Sequence, residues 1–138
     1  MPKVRTQIAL ASPAASVWAF VGPFGALADW HPVIQRSDVD ADGRVRTLHM
    51  PDGSTSQERL ITHDDAAMQY RYTLHGKSSL PVLDFQGTVT VQPLGERSLF
   101  TWEADFDVPK GAPEAQVVAA LQRIFDAVVP GLQQRFGR

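Results

Sequence analysis

The chain has 138 residues, of which 43% are hydrophobic and 20% charged, and its formal net charge is −2. These values are typical of one globular domain, which we expect to span residues 1–138. Without a basic run, neither nucleic acid nor an anionic membrane surface is an expected partner. The sequence contains no cysteine, which excludes disulfides and thiolate metal sites and fits a cytoplasmic location. The apolar stretches fall short of the roughly 20 residues that span a membrane, so no membrane insertion is expected.

The first thirty residues predict a strand followed by two short helices. Alternating polar and apolar residues favour a strand from Lys3 to Leu10. Ser12-Pro13 is a helix-start signal, an N-cap hydroxyl followed by proline at the first helical position. That helix should stop at Gly22-Pro23, because proline disfavours helix in the residue before it. A second short helix is predicted over Phe24 to Asp29.

From residue 33 the chain predicts six consecutive antiparallel strands. Asp-Gly and other glycine-containing turns separate short alternating segments, a pattern typical of hairpins. With the first strand, this gives a seven-stranded antiparallel sheet. The six predicted strands are Val33–Asp40, Arg44–Met50, Thr55–Thr62, Met68–Leu74, Val82–Gln92 and Ser98–Val108.

The C-terminal segment predicts one long amphipathic helix. Pro113-Glu114 opens it with proline and a carboxylate in the first turn. Apolar residues then recur at spacings of three and four from Val117 to Phe136. Pro130-Gly131 should bend or loosen its last third. Such an apolar face needs a large partner surface, and the inner face of the sheet is the candidate. The sequence therefore predicts an α+β fold in which the sheet wraps around this helix.

Charged residues fall on the inner face that period-two alternation predicts for two neighbouring strands. Arg46 shares a side with Leu48 and Met50, and Glu58 shares a side with Leu60. Because a buried charge is costly unless it is paired or wet, one interpretation is an Arg46–Glu58 pair at the polar end of a cavity. The alternative is that strand twist or a bulge places both side chains at a solvated rim.

The candidate groups for chemistry are Glu58, Arg46 and His31. A half-buried carboxylate at Glu58 would suit acid/base work, although pairing with Arg46 favours a structural or binding role. His31 is either a packing residue or a switchable cation at the mouth of the cavity. The other histidines, His49, His63 and His75, are predicted on outward faces or in loops. No metal-ligand spacing, phosphate loop or dinucleotide fingerprint is found, so we expect no metal and no cofactor.

Several local motifs, taken in this order along the chain, resemble the START-like (SRPBCC) superfamily, whose members share the helix-grip fold. The similarity is to bacterial polyketide cyclase/dehydrase and lipid-transport proteins, and also to plant abscisic acid receptors and pollen-allergen-like proteins. The motifs are Ser12-Pro13-Ala14, Trp30-His31-Pro32, Gly43-Arg44-Val45-Arg46, Glu58-Arg59-Leu60, Tyr70-Arg71-Tyr72, Leu80-Pro81-Val82 and Trp102-Glu103-Ala104-Asp105-Phe106.

This resemblance implies a pocket between the concave sheet and the long helix. Arg46 and Glu58 match the polar pair of the receptors' pocket, and His31 falls where the receptors use a lysine to meet a ligand carboxylate. Met50 to Ser54 and Gly76 to Pro81 match the two entrance loops, called gate and latch. The inner faces and the resemblance together predict ligand contacts from Trp30, His31, Arg46, Leu48, Met50, Glu58, Leu60, Tyr70, Tyr72, Leu74, Phe85, Trp102, Phe106, Leu121, Phe125 and Val128.

Three functions compete on this basis. The first is binding of a small apolar or amphipathic molecule, such as a lipid, polyketide or aromatic metabolite, because an aromatic inner face with a few polar groups is the usual composition of a ligand site. The second is a polyketide cyclase, dehydratase or hydrolase that uses pocket acid/base groups. The third is an interaction module whose loops dock a partner or a second copy of the chain, which would make a homodimer.

Overall fold

A seven-stranded antiparallel sheet packs against C-terminal helices in the computed structural model, which describes residues 1–76 and 81–137. The strand order within this part of the chain is β1-β7-β6-β5-β4-β3-β2, so that consecutive strands from β2 to β7 are neighbours and β1 closes on β7. The predicted α+β architecture is confirmed. The strands are β1 (Lys3–Leu10), β2 (Arg36–Val39), β3 (Val45–His49), β4 (Thr55–Asp64), β5 (Gln69–Leu74), β6 (Leu83–Leu94) and β7 (Arg97–Asp107). The helices are α1 (Ala14–Val21), α2 (Leu27–Trp30), α3 (Glu114–Asp126) and α4 (Val129–Phe136), with a 3-10 turn at Phe24–Ala26.

Strand β2 is shorter than predicted and β4 is longer. Only Arg36–Val39 form a regular antiparallel ladder with β3. The segment between Pro32 and Arg36 is a loop. Strand β4 extends to Asp64 because a β-bulge lets the pairing with β5 continue. The remaining strand ends agree with the predicted ends to within two residues.

The bulge in β4 turns His63 toward the inner face. Leu60 pairs with Tyr72, the register shifts between Leu60 and Thr62, and His63 then pairs with Tyr70. An inserted residue reverses the alternation after it, so the prediction of an outward His63 was wrong. Its imidazole stacks on the Tyr70 ring with centroids 6.0 Å apart, and its Nε2 donates to the Gly22 carbonyl at 2.8 Å.

The N-terminus of α1 has no side-chain cap, and Ser12, just before it, is hydrogen-bonded to the end of α4. Pro13 occupies the N-cap position, and the Ser12 hydroxyl donates to the carbonyl of Phe136 at 3.0 Å. The predicted N-cap role of Ser12 was therefore wrong. Its backbone N–H donates to the same carbonyl, so that two bonds join β1 and α1 to the end of α4.

The long C-terminal helix is broken just before Pro130, as the Pro-Gly pair predicted. Helix α3 ends at Asp126, and Pro130 lies in the first turn of α4. The N–H groups of a first turn make no hydrogen bond within the helix, so proline is tolerated there. By length and composition alone residues 114–136 could cross a membrane. In this fold their buried side chains lie against the sheet, where Phe125 stacks on Trp102 with centroids 4.0 Å apart.

Candidate functional site

An ion pair between Arg46 and Glu58 forms the polar end of the sheet's inner face. The two residues are directly paired across β3 and β4, which brings their side chains together on one side of the sheet. Arg46 Nε donates to Glu58 Oε1 at 2.8 Å, and Nη2 lies 2.7 Å from the same oxygen. The side chain of Arg46 is 0% exposed and that of Glu58 is 11% exposed, so the pair lies within the protein and not at a solvated rim.

Aromatic rings and two oxygens contact the rest of the guanidinium, whereas the buried Nη2 has no hydrogen-bond partner among the described residues and makes only the ion-pair contact to Glu58. Its carbon lies 4.3 Å from the centroid of Phe24 and 4.7 Å from that of Tyr72, which places π-faces against the cation. Nη1 donates to the Phe24 carbonyl at 3.0 Å and to the Tyr70 hydroxyl at 3.2 Å. Burial opposes the charged form, but Tyr70, Glu58 and Tyr72 together outweigh it and raise the pKa of Arg46. The guanidinium therefore stays charged.

A narrow cavity of about 70 Å³ lies between the sheet and α3, and Glu58 reaches its wall. Both contacts from Arg46 go to Oε1, and no described residue donates to Oε2. Glu58 is also the only charged residue among the described lining residues. The lining residues are Leu27, Ile34, Leu48, Met50, Ser56, Glu58, Tyr72, Leu74, Val82, Phe85, Trp102, Leu121, Ile124 and Phe125. The cavity wall thus combines mostly apolar side chains with one carboxylate, Glu58, whose Oε2 accepts no hydrogen bond from a described residue.

Tyr72 supplies a second polar group to the cavity. Its hydroxyl oxygen accepts from Trp102 Nε1 at 2.9 Å, and no described residue accepts the hydroxyl proton. Burial and the nearby Glu58 charge raise the pKa of Tyr72 well above its ordinary value, so the phenol stays neutral and can donate. Gly87 makes room for the ring, because a Cβ there would lie 2.2 Å from Tyr72 Cζ.

The structure brings together part of the predicted set. Nine of the sixteen predicted ligand-contact residues line the cavity. The other seven are buried in the core. The predicted residues in the lining are Leu48, Met50, Glu58, Tyr72, Leu74, Phe85, Trp102, Leu121 and Phe125. The predicted residues outside the lining are Trp30, His31, Arg46, Leu60, Tyr70, Phe106 and Val128.

Some lining residues were not predicted. Leu27 and Ile34 lie in a short helix and a loop, where no periodicity marks an inner face. Ile124 lies on the helical stripe, one turn from Leu121, and could have been found by that spacing. Ser56 shares the inner side of β4 with Glu58, so alternation also marked its position. Val82 directly precedes β6 and follows residues outside the described part of the chain.

An outer pocket of about 340 Å³ leads toward the cavity. Ile34, Met50 and Ile124 line both spaces, so the outer pocket and the cavity adjoin at these residues. The turn Pro51–Ser54 borders the outer pocket, at the place that the resemblance gave to the gate. Its lining residues are His31, Val33, Ile34, Met50, Pro51, Asp52, Ser54 and Ile124. The predicted latch, Gly76 to Pro81, falls largely on residues 77–80, which lie outside the described residues.

His31 borders the outer pocket, but its ring is committed to the backbone. The residue is 3% exposed. Nε2 bonds to the Ile124 carbonyl at 2.9 Å and therefore donates, while Nδ1 accepts from the Val33 N–H at 3.2 Å. Burial lowers the pKa of His31, although the bond to Ile124 opposes this shift. The geometry therefore favours a neutral packing residue over the switchable cation considered from the sequence.

Other concave or titratable features lie away from Glu58. An open groove of about 900 Å³ runs between α2 and α4, with polar side chains such as Asp29, Gln35 and Arg135 in its lining. His49 Nε2 lies 2.9 Å from Asp38 Oδ2 at the partly exposed edge of the sheet. Across residues 1–76 and 81–137, no group of three His, Asp or Glu side chains could hold a metal ion.

Removing one partner of the buried pair should be costly. We expect Arg46→Met to lower the free energy of unfolding by about 3–5 kcal/mol, because Glu58 loses its buried counterion. The double variant Arg46→Met/Glu58→Met should recover much of this loss, since apolar side chains of similar volume replace the whole pair. Urea unfolding of both variants measures the difference.

The control for this series is Lys3→Met, which breaks an ion pair with Asp105 whose side chains are mostly exposed. We expect this control to change stability by less than about 1 kcal/mol. A loss in Arg46→Met no greater than that of the control would contradict a buried, charged pair.

His31 should make folding stability depend on pH. Burial holds the folded pKa of His31 below its ordinary value of about 6.5. Below about pH 6.5 the unfolded chain therefore binds more protons than the folded chain, and the free energy of unfolding falls as the pH falls. In His31→Gln this component should disappear, whereas the exposed His75→Gln should keep it. Urea unfolding between neutral and mildly acidic pH measures the slopes, and equal slopes in wild type and His31→Gln would contradict the assignment.

The fold agrees with those of known proteins. The structure is similar to XoxI from Bacillus cereus, with a TM-score of 0.90 and 30% identity over 99% of this chain and 96% of that one. A putative uncharacterized protein from Bacillus thuringiensis gives a TM-score of 0.88 and 28% identity, over 97% of this chain and 98% of that one. Norcoclaurine synthase from Thalictrum flavum shares the helix-grip fold, with a TM-score of 0.70 and 17% identity over 97% and 95% of the two chains. No curated protein sequence matches the chain.

The family comparison covers nearly the whole sequence. The model of the family described as polyketide cyclase / dehydrase and lipid transport matches residues 1–137, which include every strand and helix of the described fold. The chain therefore belongs to the polyketide cyclase / dehydrase and lipid transport family.

Proposed function

We propose that the protein binds a small apolar or amphipathic molecule between the sheet and α3. The observation that carries this proposal is the cavity itself, whose described lining is mostly apolar and includes one carboxylate, Glu58, whose Oε2 accepts no hydrogen bond from a described residue. Ligand sites generally combine apolar walls with a few polar groups that fix orientation. The chain's family is described as polyketide cyclase / dehydrase and lipid transport. This description is consistent with a role in holding such molecules.

The cavity must widen to admit a ligand. Its volume of about 70 Å³ is smaller than the roughly 150 Å³ cavity in which an engineered protein binds benzene. Met50 lines both the cavity and the adjoining outer pocket of about 340 Å³, and methionine is flexible enough to change rotamer at low cost. Displacement of the Met50 side chain would join the two spaces into one of ligand size.

The open groove between α2 and α4 supports ligand binding less well. It is larger, but its lining includes charged and amide side chains such as Asp29, Gln134 and Arg135. An apolar molecule would leave these groups facing it without hydrogen bonds, and an unpaired polar group in a closed interface is costly. The cavity at Glu58 is therefore the proposed site.

A cyclase or dehydratase activity is the second candidate, and the pairing of Glu58 with Tyr72 favours it. Glu58 Oε2 is free to accept a proton from a carbon beside a carbonyl, and the neutral Tyr72 hydroxyl could donate a hydrogen bond to the enolate oxygen that forms. Both groups line the same cavity. Arg46 does not line it, and His31 has both ring nitrogens bonded to backbone groups, so neither is assigned a direct chemical role.

Filling the cavity should abolish binding. We expect native mass spectrometry of the gently purified protein, incubated with a total small-molecule extract, to detect a retained apolar molecule. Ser56→Leu places an apolar side chain in the cavity and should remove that molecule while costing no more than about 1–3 kcal/mol of stability. Gln57→Leu is the matched control, because the neighbouring residue is exposed on the other face of β4. A molecule retained equally by Ser56→Leu, or none retained by wild type, would contradict the proposal.

The second candidate predicts turnover that depends on Glu58 and Tyr72. With a short poly-β-ketone thioester as substrate, Glu58→Gln should lose about 10²–10⁴-fold in cyclised or dehydrated product, the usual contribution of a general base. Tyr72→Phe should also be slower, and His31→Gln should keep its activity. Product chromatography measures the rates, and circular dichroism checks that each variant is folded. Equal turnover in wild type and Glu58→Gln would exclude this mechanism.

A further inference from the structure

Among the described residues, the charged groups that line the path into the cavity are carboxylates. Asp52 is the only acidic residue among the described lining of the outer pocket, and Glu58 is its counterpart in the cavity. No lysine or arginine lines either space in the part of the chain that the structure describes. A molecule that travels from the entrance to the end of the cavity therefore meets negative charge at both ends.

Arg46, the cation that pairs with Glu58, does not line this path. Arg46 is fully buried, and its nitrogens contact Glu58 Oε1, the Phe24 carbonyl and the Tyr70 hydroxyl. A ligand group at Glu58 Oε2 would lie closer to the carboxylate than to the guanidinium. Pairing with Arg46 therefore weakens the negative field of Glu58 in the cavity but does not reverse it.

His31 cannot replace the missing cation in this geometry. The resemblance places it where related receptors use a lysine to meet a ligand carboxylate. Here Nδ1 accepts a hydrogen bond from the Val33 N–H, and an imidazolium has no lone pair with which to accept that bond. The ring is therefore held in its neutral form, with its remaining N–H already donated to the Ile124 carbonyl.

From this arrangement we infer that the cavity selects molecules that carry a hydroxyl or amino donor on an apolar body, and that it excludes carboxylates. A donor would satisfy Glu58 Oε2, and a hydroxyl could at the same time accept from the Tyr72 O–H. A carboxylate would have no donor for Glu58 and would add a like charge in a poorly screened interior. This inference rests on the proposed ligand-binding function and names the class of ligand that the same site takes.

The test uses four one-ring compounds of similar shape: 2-phenylethanol, 2-phenylethylamine, phenylacetate and ethylbenzene. Each is titrated into the wild-type protein at neutral pH while the indole N–H resonance of Trp102 is followed by NMR. That N–H donates to Tyr72 in the cavity wall, so its shift reports binding at this site. We expect the alcohol and the amine to bind at least tenfold more tightly than phenylacetate, with ethylbenzene between them.

Variants separate the charge of Glu58 from the shape of the cavity. Glu58→Gln keeps the volume and removes the charge, so the affinity ratio of amine to carboxylate should fall by tenfold or more. Glu103→Gln makes the same chemical change on β7, where Glu103 pairs with Arg5 on the outer face, and should leave the ratio unchanged. If Glu58→Gln does not fold because Arg46 is left unpaired, the wild-type series decides the question alone.

The outcomes distinguish this inference from the function on which it rests. Phenylacetate binding as tightly as the alcohol and the amine, with a shift of the Trp102 signal, would overturn the charge selection and leave the ligand-binding function standing. Failure of all four compounds, ethylbenzene included, to shift the Trp102 signal would overturn the proposed function, and the selection with it. A ratio that is equally reduced by Glu103→Gln would show that overall charge, and not Glu58, determines the preference.

Discussion

The site depends on one buried cation. Arg46 is the largest fully buried side chain of the described residues, and desolvating its charge costs free energy that its contacts must offset. Its planar faces meet the Phe24 and Tyr72 rings, and its edges meet Glu58 and Tyr70. A lysine ammonium has neither the planar faces nor the forked set of N–H donors that make these contacts. The 3-10 turn, β3, β4 and β5 are thus tied together at one point.

This pair also explains why a cavity lies beside it. A carboxylate needs more partners than one guanidinium supplies to one of its oxygens, and close apolar packing against Glu58 Oε2 would leave that oxygen buried and unsatisfied. The sheet therefore cannot be filled with aliphatic side chains up to Glu58 without a penalty. A buried ion pair is often no more stabilising than apolar residues of similar volume, so under the proposed ligand-binding function we infer that Glu58 serves the ligand rather than stability.

Much of the fold followed from patterns that act over short distances. Alternation predicted the inner faces of β5, β6 and β7 and the register partners Arg46 and Glu58, because each strand repeats every two residues. The bulge in β4 could not be predicted, since it depends on pairing with β5, and it turned His63 inward. The bonds of His31 also depend on a residue 93 positions away. Cavity size is set by side-chain packing across all these elements, which no local pattern specifies.

The way in which the cavity can widen follows from what holds each of its walls. Trp102 stacks on Phe125 of α3. Its indole N–H also donates to Tyr72, whose ring lies against Gly87. The same indole therefore contacts both the helix wall and the sheet wall of the cavity. Moving α3 outward would break the stack of Phe125 on Trp102. Met50 lines both the cavity and the outer pocket, and its side chain makes no hydrogen bond with a described residue. Access to Glu58 should therefore open at the Pro51–Ser54 turn while α3 stays in place.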